Sequence, residues 1–286
     1  MMKTIGIFSN SRKDIDHIGA SKVYEILKDE CEVICAEDIG IKGIVTVSKE
    51  EFVNRAECVI VLGGDGTILR VARFVCKHNI PILGINMGNL GFMAEIDKKN
   101  LESSIQKFMS GDYKIEKRSM IYASVERDGE IIGKCNALND IVISCSRYKR
   151  MIELDIYIDN IKVDNYWADG VIASTPTGST AYSLSAGGPI VDPSLGVTVL
   201  TPICPHTLST RSIIMPIEKQ LKIQLKGKAK RGSILTIDGQ DGFDLQYGDI
   251  IKICESRYKI SFIRIKNRSF YTVLKKKMSE RGRIND

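Results

Sequence analysis

Histidine and tryptophan are scarce in this chain, and several kinds of chemistry are excluded with them. Three histidines (His17, His78, His206) and one tryptophan, Trp167, serve 286 residues. A metal or acid–base site centred on histidine is therefore not expected. No Cys-x-x-Cys pair occurs: the eight cysteines, Cys31, Cys35, Cys58, Cys76, Cys135, Cys145, Cys204 and Cys254, are scattered, mostly inside apolar runs. There a free cysteine behaves as a small hydrophobe, and neither a zinc site nor a disulfide framework fits the spacing. No apolar run reaches the ~20 residues a membrane helix needs. The opening residues, Met1-Met2-Lys3-Thr4-Ile5-Gly6-Ile7-Phe8, lack the apolar core and cleavage site of a signal peptide. A cytoplasmic protein with no membrane partner is expected.

Charge is not concentrated either. The net charge of +6 is modest for this length and suits anionic small molecules, whereas a nucleic-acid protein more often shows a dense basic stripe. The densest run, Lys275-Lys276-Lys277 with Arg281 and Arg283 beyond it, reads as a solvated helix end. No nucleic-acid partner is expected. What is present is ordinary for a soluble globular protein, 43% hydrophobic and 27% charged. The length allows one large domain or two smaller ones.

The most informative stretch runs Cys58-Val59-Ile60-Val61-Leu62-Gly63-Gly64-Asp65-Gly66-Thr67. Residues 58–62 form an unbroken apolar run, which suits a strand buried on both faces of a parallel sheet. Ile68, Leu69, Val71, Ala72 and Val75 then recur at helical spacing. Glycines let the backbone approach a bulky anion, and N–H groups at a helix start can hold phosphate. Asp65 stands out because a carboxylate repels phosphate. An acid there suggests a base for a hydroxyl or a metal contact; the plainer alternative is a strand–helix turn with a helix-capping Asp.

Around this motif the chain alternates. Strands are expected over 4–8, 32–36, 58–62 and 81–85, and helices over 14–28 and 68–78. The first helix has Ile18, Ala20, Val23, Ile26 and Leu27 as its inward face, and Ser48-Lys49-Glu50-Glu51 has capping-box spacing for a short helix. This rhythm predicts a parallel sheet flanked by helices. Ligands gather at the carboxyl ends of such strands, so 63–67 and 86–92 can face one cleft. After a helix over 101–109, closed by Gly111, the texture becomes antiparallel. Strand-like runs flank Asp128-Gly129 and Asp159-Asn160, one over 233–237 precedes Asp238-Gly239, and one over 250–254 follows Tyr247-Gly248, which are hairpin signals. An amphipathic helix over 269–278, through Phe270, Val273 and Leu274, ends the pattern. The expected fold is an α/β domain over 1–111, a β-rich, sandwich-like domain over 112–265, and a C-terminal helix and tail over 266–286 returning to the first.

A second constellation follows the apolar run 171–173: Thr175-Pro176-Thr177-Gly178-Ser179-Thr180-Ala181-Tyr182-Ser183-Leu184-Ser185. Its hydroxyls crowd a turn, and 180–186 look helical. Such a helix start can bind ribose or phosphate oxygens, with Tyr182 as an aromatic face for a base. An N-cap followed by a short helix is the competing reading.

Together, the Gly63-Gly64-Asp65-Gly66-Thr67 loop, Gly84-Ile85-Asn86 with 88–92, the run from Thr175 to Ser185 with Gly187-Gly188-Pro189, and Asp238-Gly239-Gln240 closely resemble the NAD kinases. The resemblance spans nearly the whole chain. It implies phosphorylation of the 2′-hydroxyl of the adenosine ribose of NAD, with ATP as donor and a divalent cation, for which magnesium is expected, giving NADP. It also implies roles. Asp65 matches the base, with Gly66 on the ligand. Asn139-Asp140 matches a ribose-binding pair, and Asp169 an acid near the nicotinamide. Thr180, Ala181 and Tyr182 match adenine and ribose contacts, with Thr177 close by and Ser183, Leu184 and Ser185 in the same run. Arg150 matches a further ligand-binding position, and Arg70, Trp167, Cys204 and Gln240 are weaker matches. A homodimer or homotetramer is implied as well. The chain departs from the family pattern at Asp140, where glutamate is commoner, at Asn89, where many members have histidine, and at Met93, where some have an aromatic residue.

Phosphoryl transfer relies on positioning and charge stabilisation. Neither a Walker A lysine motif nor a protein-kinase catalytic loop is present, so glycine-loop N–H groups and a metal would hold ATP. Two rivals stay open at this point. One is a lipid or sugar kinase sharing the glycine loop; the other is a non-catalytic dinucleotide sensor.

Overall fold

The computed structural model describes residues 3–88, 91–145, 151–207, 209–227, 232–265 and 269–281. The chain divides into two compact units, Met1–Lys117 with Ile260–Asp286, and Arg118–Lys259.

The first unit holds strands β1 (Thr4–Ser9), β2 (Glu32–Cys35), β3 (Val45–Thr46), β4 (Cys58–Gly63), β5 (Ile82–Asn86) and β6 (Ile96–Asp97), and helices α1 (Ile18–Leu27), α2 (Lys49–Arg55), α3 (Asp65–Val75) and α4 (Leu101–Met109). Its parallel sheet runs β3-β2-β1-β4-β5. Every residue of β4 is buried, as an unbroken apolar strand between two neighbours must be. The core joins Ile5, Ile7, Ile60, Leu62, Leu83 and Ile85 of the sheet to Val23 and Leu27 of α1 and Ile105 and Phe108 of α4. Ser48 caps α2, its hydroxyl accepting the Glu51 N–H at 3.1 Å, as the capping box predicts.

Two expectations need correction here. The helix predicted from residue 14 begins at Ile18, because Asp16 and His17 both take φ +52°. Asp14 instead reaches forward from the turn, its buried carboxylate accepting the N–H groups of Gly19 at 2.8 Å and Ala20 at 2.9 Å. With the helix so started, Ile18 is half exposed and Gly19 lies in the inward face. The second correction is that α3 starts at Asp65 rather than at 68.

The second unit is antiparallel. The chain enters it along β7 (Lys114–Arg127), followed by β8 (Glu130–Ala137), β9 (Asp140–Cys145), β10 (Ile152–Ile158), β11 (Ile161–Ala168), β12 (Gly170–Ser174), the four-residue α5 (Tyr182–Ser185), β13 (Val197–Ile203), β14 (Ile213–Pro216), β15 (Leu221–Lys226), β16 (Ser233–Ile237) and β17 (Gln240–Leu245), and leaves it along β18 (Ile250–Arg264). One sheet runs β14-β13-β12-β9-β16-β17; opposite it, β11-β10-β15-β18 pair in order and β7 pairs β18 and β8. Both sheets contribute to one core, including Ile141, Val171, Leu200 and Leu235 from the first and Leu154, Ile156, Ile223 and Ile251 from the second. This is the expected sandwich.

Asp128-Gly129, Asp159-Asn160 and Asp238-Gly239 all take positive φ between 47° and 84°, the left-handed pair that a two-residue hairpin turn demands. Tyr247-Gly248 differs: β17 and β18 on either side of it lie in different sheets and do not pair. That turn carries the chain across the sandwich. The helix expected over 180–186 is also shorter, a 3-10 turn at Gly178–Thr180 and then α5, broken at Ala181 by φ −99° and ψ −125°. The last helix, α6 (Phe270–Arg281), belongs to the first unit, with the Phe270 ring 6.3 Å from that of Phe92. On it Lys275 and Lys276 are exposed. Arg283 and Asn89 lie outside the described residues.

Candidate active site

In the first unit, β4 ends at Gly63 and α3 opens at Asp65, with Gly64 as the capping residue. Gly64 O accepts the N–H groups of Thr67 at 2.9 Å and Ile68 at 3.1 Å. Thr67 is buried, and its hydroxyl oxygen accepts from Asn10 Nδ2 at 2.8 Å. Gly66 is exposed, with open space where a side chain would stand. Arg70, exposed on α3, stacks its guanidinium 4.5 Å from the Phe8 ring centre.

Asp65 is half-buried. Its carboxylate does not cap its own helix. It turns to the segment after β5, accepting the N–H of Phe92 at 2.9 Å on Oδ2 and that of Met93 at 3.2 Å on Oδ1. Gly91 has no room for a side chain, since a Cβ there would stand 2.0 Å from Asp65 Oδ1. Residues 63–67 and the segment after β5 thus meet at adjoining strand ends, where Gly63 pairs Asn86. Sequence reasoning missed Arg264, which holds that segment from behind. It donates to Met93 O at 2.9 Å, and its guanidinium pairs with Glu116 at 2.5 Å and the buried Glu95 at 3.4 Å. Nothing local marks an arginine 171 residues from its partner.

In the second unit, Asp140 opens β9 and Asn139 precedes it; they are 3% and 7% exposed. Thr175 binds their segment twice, through its hydroxyl to Leu138 O at 2.6 Å and its N–H to Asn139 O at 2.8 Å. Gly178 packs so closely that a Cβ would lie 2.1 Å from Asn139 O. Asn139 Oδ1 is buried and has no hydrogen-bond partner among the described residues. Burial first, and the neighbouring Asp238 carboxylate second, push the Asp140 carboxyl up to about 7.

The hydroxyls of the 175–185 run are largely engaged within the fold. Thr177 accepts from Arg118 at 3.3 Å, Thr180 donates to Thr177 O at 3.3 Å, Ser179 donates to Pro176 O at 2.6 Å, and Ser183 pairs with Thr201 at 3.0 Å. Tyr182 and Ser185 remain exposed, while Ala181 and Leu184 are half-buried.

Trp167, Asp169 and Cys204 are exposed and meet elsewhere, at the end of β13, where Asp169 N–H donates to Ile203 O at 3.0 Å. Cys204 takes φ +46° there. Asp169 precedes β12 and Thr175 follows it, so at strand rise this group lies about 20 Å from the Asn139 group. Gln240 opens β17 beside Asp238-Gly239. Arg150 lies outside the described residues. Among the described residues, no three His, Cys, Asp or Glu side chains come together to hold a metal.

The first unit is an α/β unit with a carboxylate in a glycine turn and the second a β sandwich with an Asn-Asp pair, features that fit the class the family matches below show, a phosphotransferase with an alcohol group as acceptor. The comparisons with known proteins narrow it. Residues 5–113 match the model of the ATP-NAD kinase N-terminal domain and residues 138–265 that of the ATP-NAD kinase C-terminal domain. An NAD kinase of Moorella thermoacetica is 46% identical over 83% of this chain and 76% of its own. The crystal structure of yeast NADH kinase complexed with NADH superposes with a TM-score of 0.89 at 28% identity, over 97% of this chain and 88% of that one. That of an NAD kinase from Archaeoglobus fulgidus in complex with ATP gives 0.77 at 26% identity, over 96% and 98%. The chain belongs to the NAD kinase family, kinases that transfer phosphate to NAD.

Proposed function

We propose that the chain transfers the terminal phosphoryl group of ATP to the 2′-hydroxyl of the adenosine ribose of NAD, giving NADP, with Asp65 accepting the hydroxyl proton. The Asp65 carboxylate carries this reading. It sits half-buried on a glycine turn at a strand end, oriented by the Phe92 and Met93 N–H groups. A carboxylate offers about four lone-pair sites, so two amide bonds orient it and leave room for a hydroxyl proton. An acid there also disfavours a turn that merely binds phosphate.

In this reading Gly66 and the glycine-loop N–H groups hold ATP phosphate, Asn139 and Asp140 hold ribose hydroxyls, and Asp169 meets the nicotinamide end. Thr177, Thr180, Ala181 and Tyr182, with Ser183, Leu184 and Ser185, serve adenine and ribose. The buried, unpartnered Asn139 Oδ1 supports a ligand role, since an orphaned buried acceptor is costly unless something pairs with it. Arg70, Arg150, Trp167, Cys204 and Gln240 are assigned lesser contacts. Magnesium binds through one or two carboxylates plus substrate phosphates. Asp65 is the carboxylate such an ion would meet, and when bound the ion neutralises charge on the transferring group.

The test is NADP formation from NAD, ATP and magnesium, with diacylglycerol and fructose 6-phosphate as competing acceptors. Product from NAD alone is expected. Dinucleotide binding without product would replace this reading with a sensor. Running NADH and polyphosphate in parallel defines acceptor and donor range.

The chain is also proposed to work in the cytoplasm as a homodimer or homotetramer. No helix among the described residues is long and apolar enough to cross a membrane. Association is supported by β11, at the end of its sheet order, which exposes Ile161, Val163 and Trp167 at 68%, 42% and 50%; apolar edges of this kind need cover. Light scattering should give a multiple of the 31.8 kDa chain mass. A monomer with full specific activity would overturn it.

A further inference from the structure

Asp238 opens both a hairpin turn and the Asp238-Gly239-Gln240 motif, and its surroundings are unlike those of an ordinary turn. It is 7% exposed. Its carboxylate gathers the N–H groups of three successive residues, Leu138 at 3.2 Å, Asn139 at 2.7 Å and Asp140 at 3.1 Å. Its own N–H donates to Asp140 O at 2.9 Å. Its φ of +51° is left-handed, a conformation that Asp tolerates better than most residues. The other two hairpin turns with an Asp in the first position show no such grip: Asp159 binds a single backbone N–H, that of Gln220, from an exposed position, and Asp128 is exposed as well.

We propose that Asp238 is a positioning residue for the dinucleotide, its carboxylate fixing the 138–140 backbone so that the side chains of Asn139 and Asp140 stand where ribose hydroxyls can meet them. The proposal rests on the functional reading above and deepens it. One observation points to a ligand. Asn139 is nine-tenths buried, yet its Oδ1 has no partner among the described residues. Two of the three N–H groups that Asp238 takes up belong to Asn139 and Asp140, the residues that would touch ribose, so a change at Asp238 reaches them through the backbone. Thr175 and Gly178 hold the other side of the same segment, which leaves Asp238 to set its N–H side.

The charge of Asp238 has a second effect. Asp140 faces the uncharged Ser174 across β12, and among the described residues Asp238 is the charged group acting on its carboxyl. Removing that charge lowers the Asp140 pKa and moves the acid limb of the NAD-affinity profile to lower pH. A purely structural residue would not do this.

The experiment is steady-state kinetics and NAD-binding calorimetry on the full chain, wild type against Asp238→Asn. The amide keeps the turn conformation but presents an NH2 to N–H groups that need acceptors. KM for NAD should rise about tenfold or more, as expected when a hydrogen-bonded ribose group is misplaced. KM for ATP should stay put, kcat should fall less than KM rises, and the acid limb should move as stated. Combined with Asn139→Ala, Asp238→Asn should add less to KM than it does alone, because the Asn139 contact is already lost and only that of Asp140 remains to be misplaced. If Asp238→Asn does not fold, Asp238→Glu keeps the charge while shifting the carboxylate, and the same rise in KM for NAD is expected. A folded variant with wild-type NAD affinity and an unmoved acid limb would overturn the proposal. A wild type that binds NAD yet makes no NADP would defeat the kinase reading alone, since the dissociation constants still report on Asp238.

Discussion

Asp65 and Asp238 are two carboxylates held by backbone N–H groups, one in each unit, and they differ in what is left over. Asp65 takes two N–H groups and stays half-buried at the start of a helix. Asp238 takes three and is almost wholly enclosed. The first retains lone pairs and some access, which a base needs. The second spends its acceptors on the chain itself, which a positioning group needs. Similar hydrogen bonds thus serve opposite ends, and burial decides which.

The sharpest way to break this contrast is Asp65→Asn. The amide has nearly the same volume and cannot accept the proton. Turnover should fall about 10²–10⁴-fold, with dinucleotide binding largely kept. A near-wild-type kcat in NADP formation would show that Asp65 is not the base.

A gentler disturbance of the same carboxylate is Gly91→Ala. The new methyl group would collide with Asp65 Oδ1, so the carboxylate must move. A displacement of about 1 Å can cost about 10²-fold in rate. The loss should fall on kcat, with the Asn139 group in the other unit undisturbed and KM for NAD little changed. A rise in KM at constant kcat would contradict the division of labour between the two carboxylates.

Asn139→Ala tests the other side. Removing the carboxamide should weaken NAD by roughly 1–3 kcal/mol, read as a rise in KM at near-constant kcat. Asp169→Ala should act in the same direction but less, because Asp169 is exposed. Unchanged KM in both would remove these positions from the site.

The smallest expected effect concerns stability. Folding raises the Asp140 carboxyl from 3.8 to about 7, so between those values the folded chain binds more proton than the unfolded one. This contribution is fully present below the unfolded value and is lost as pH rises through about 7. Asp140→Asn removes the titration. Thermal unfolding of the variant should therefore show a weaker fall in Tm between about pH 5 and pH 8 than the wild type does. Parallel Tm curves would mean that Asp140 does not titrate in that window.

What the sequence determined by itself was local. The apolar run before Gly63, the capping box at Ser48 and the Asp-Gly and Asp-Asn hairpin turns each act over a few residues, where backbone sterics and short hydrogen bonds leave a pattern in the letters. Asp65 was legible for the same reason: an acid in a glycine turn is odd in isolation. The start of α1 was misread because its cap, Asp14, works across residues in left-handed conformation, and Tyr247-Gly248 because a turn does not reveal whether its flanking strands will pair. Only the tertiary structure decided what Asp65 is bonded to 27 residues away, that Arg264 grips Met93 across 171 residues, and that Asp238 gathers N–H groups about a hundred residues upstream. Such bonds join groups whose positions are set by the packing of whole sheets, and a contact made by packing imposes no spacing along the chain from which it could be read.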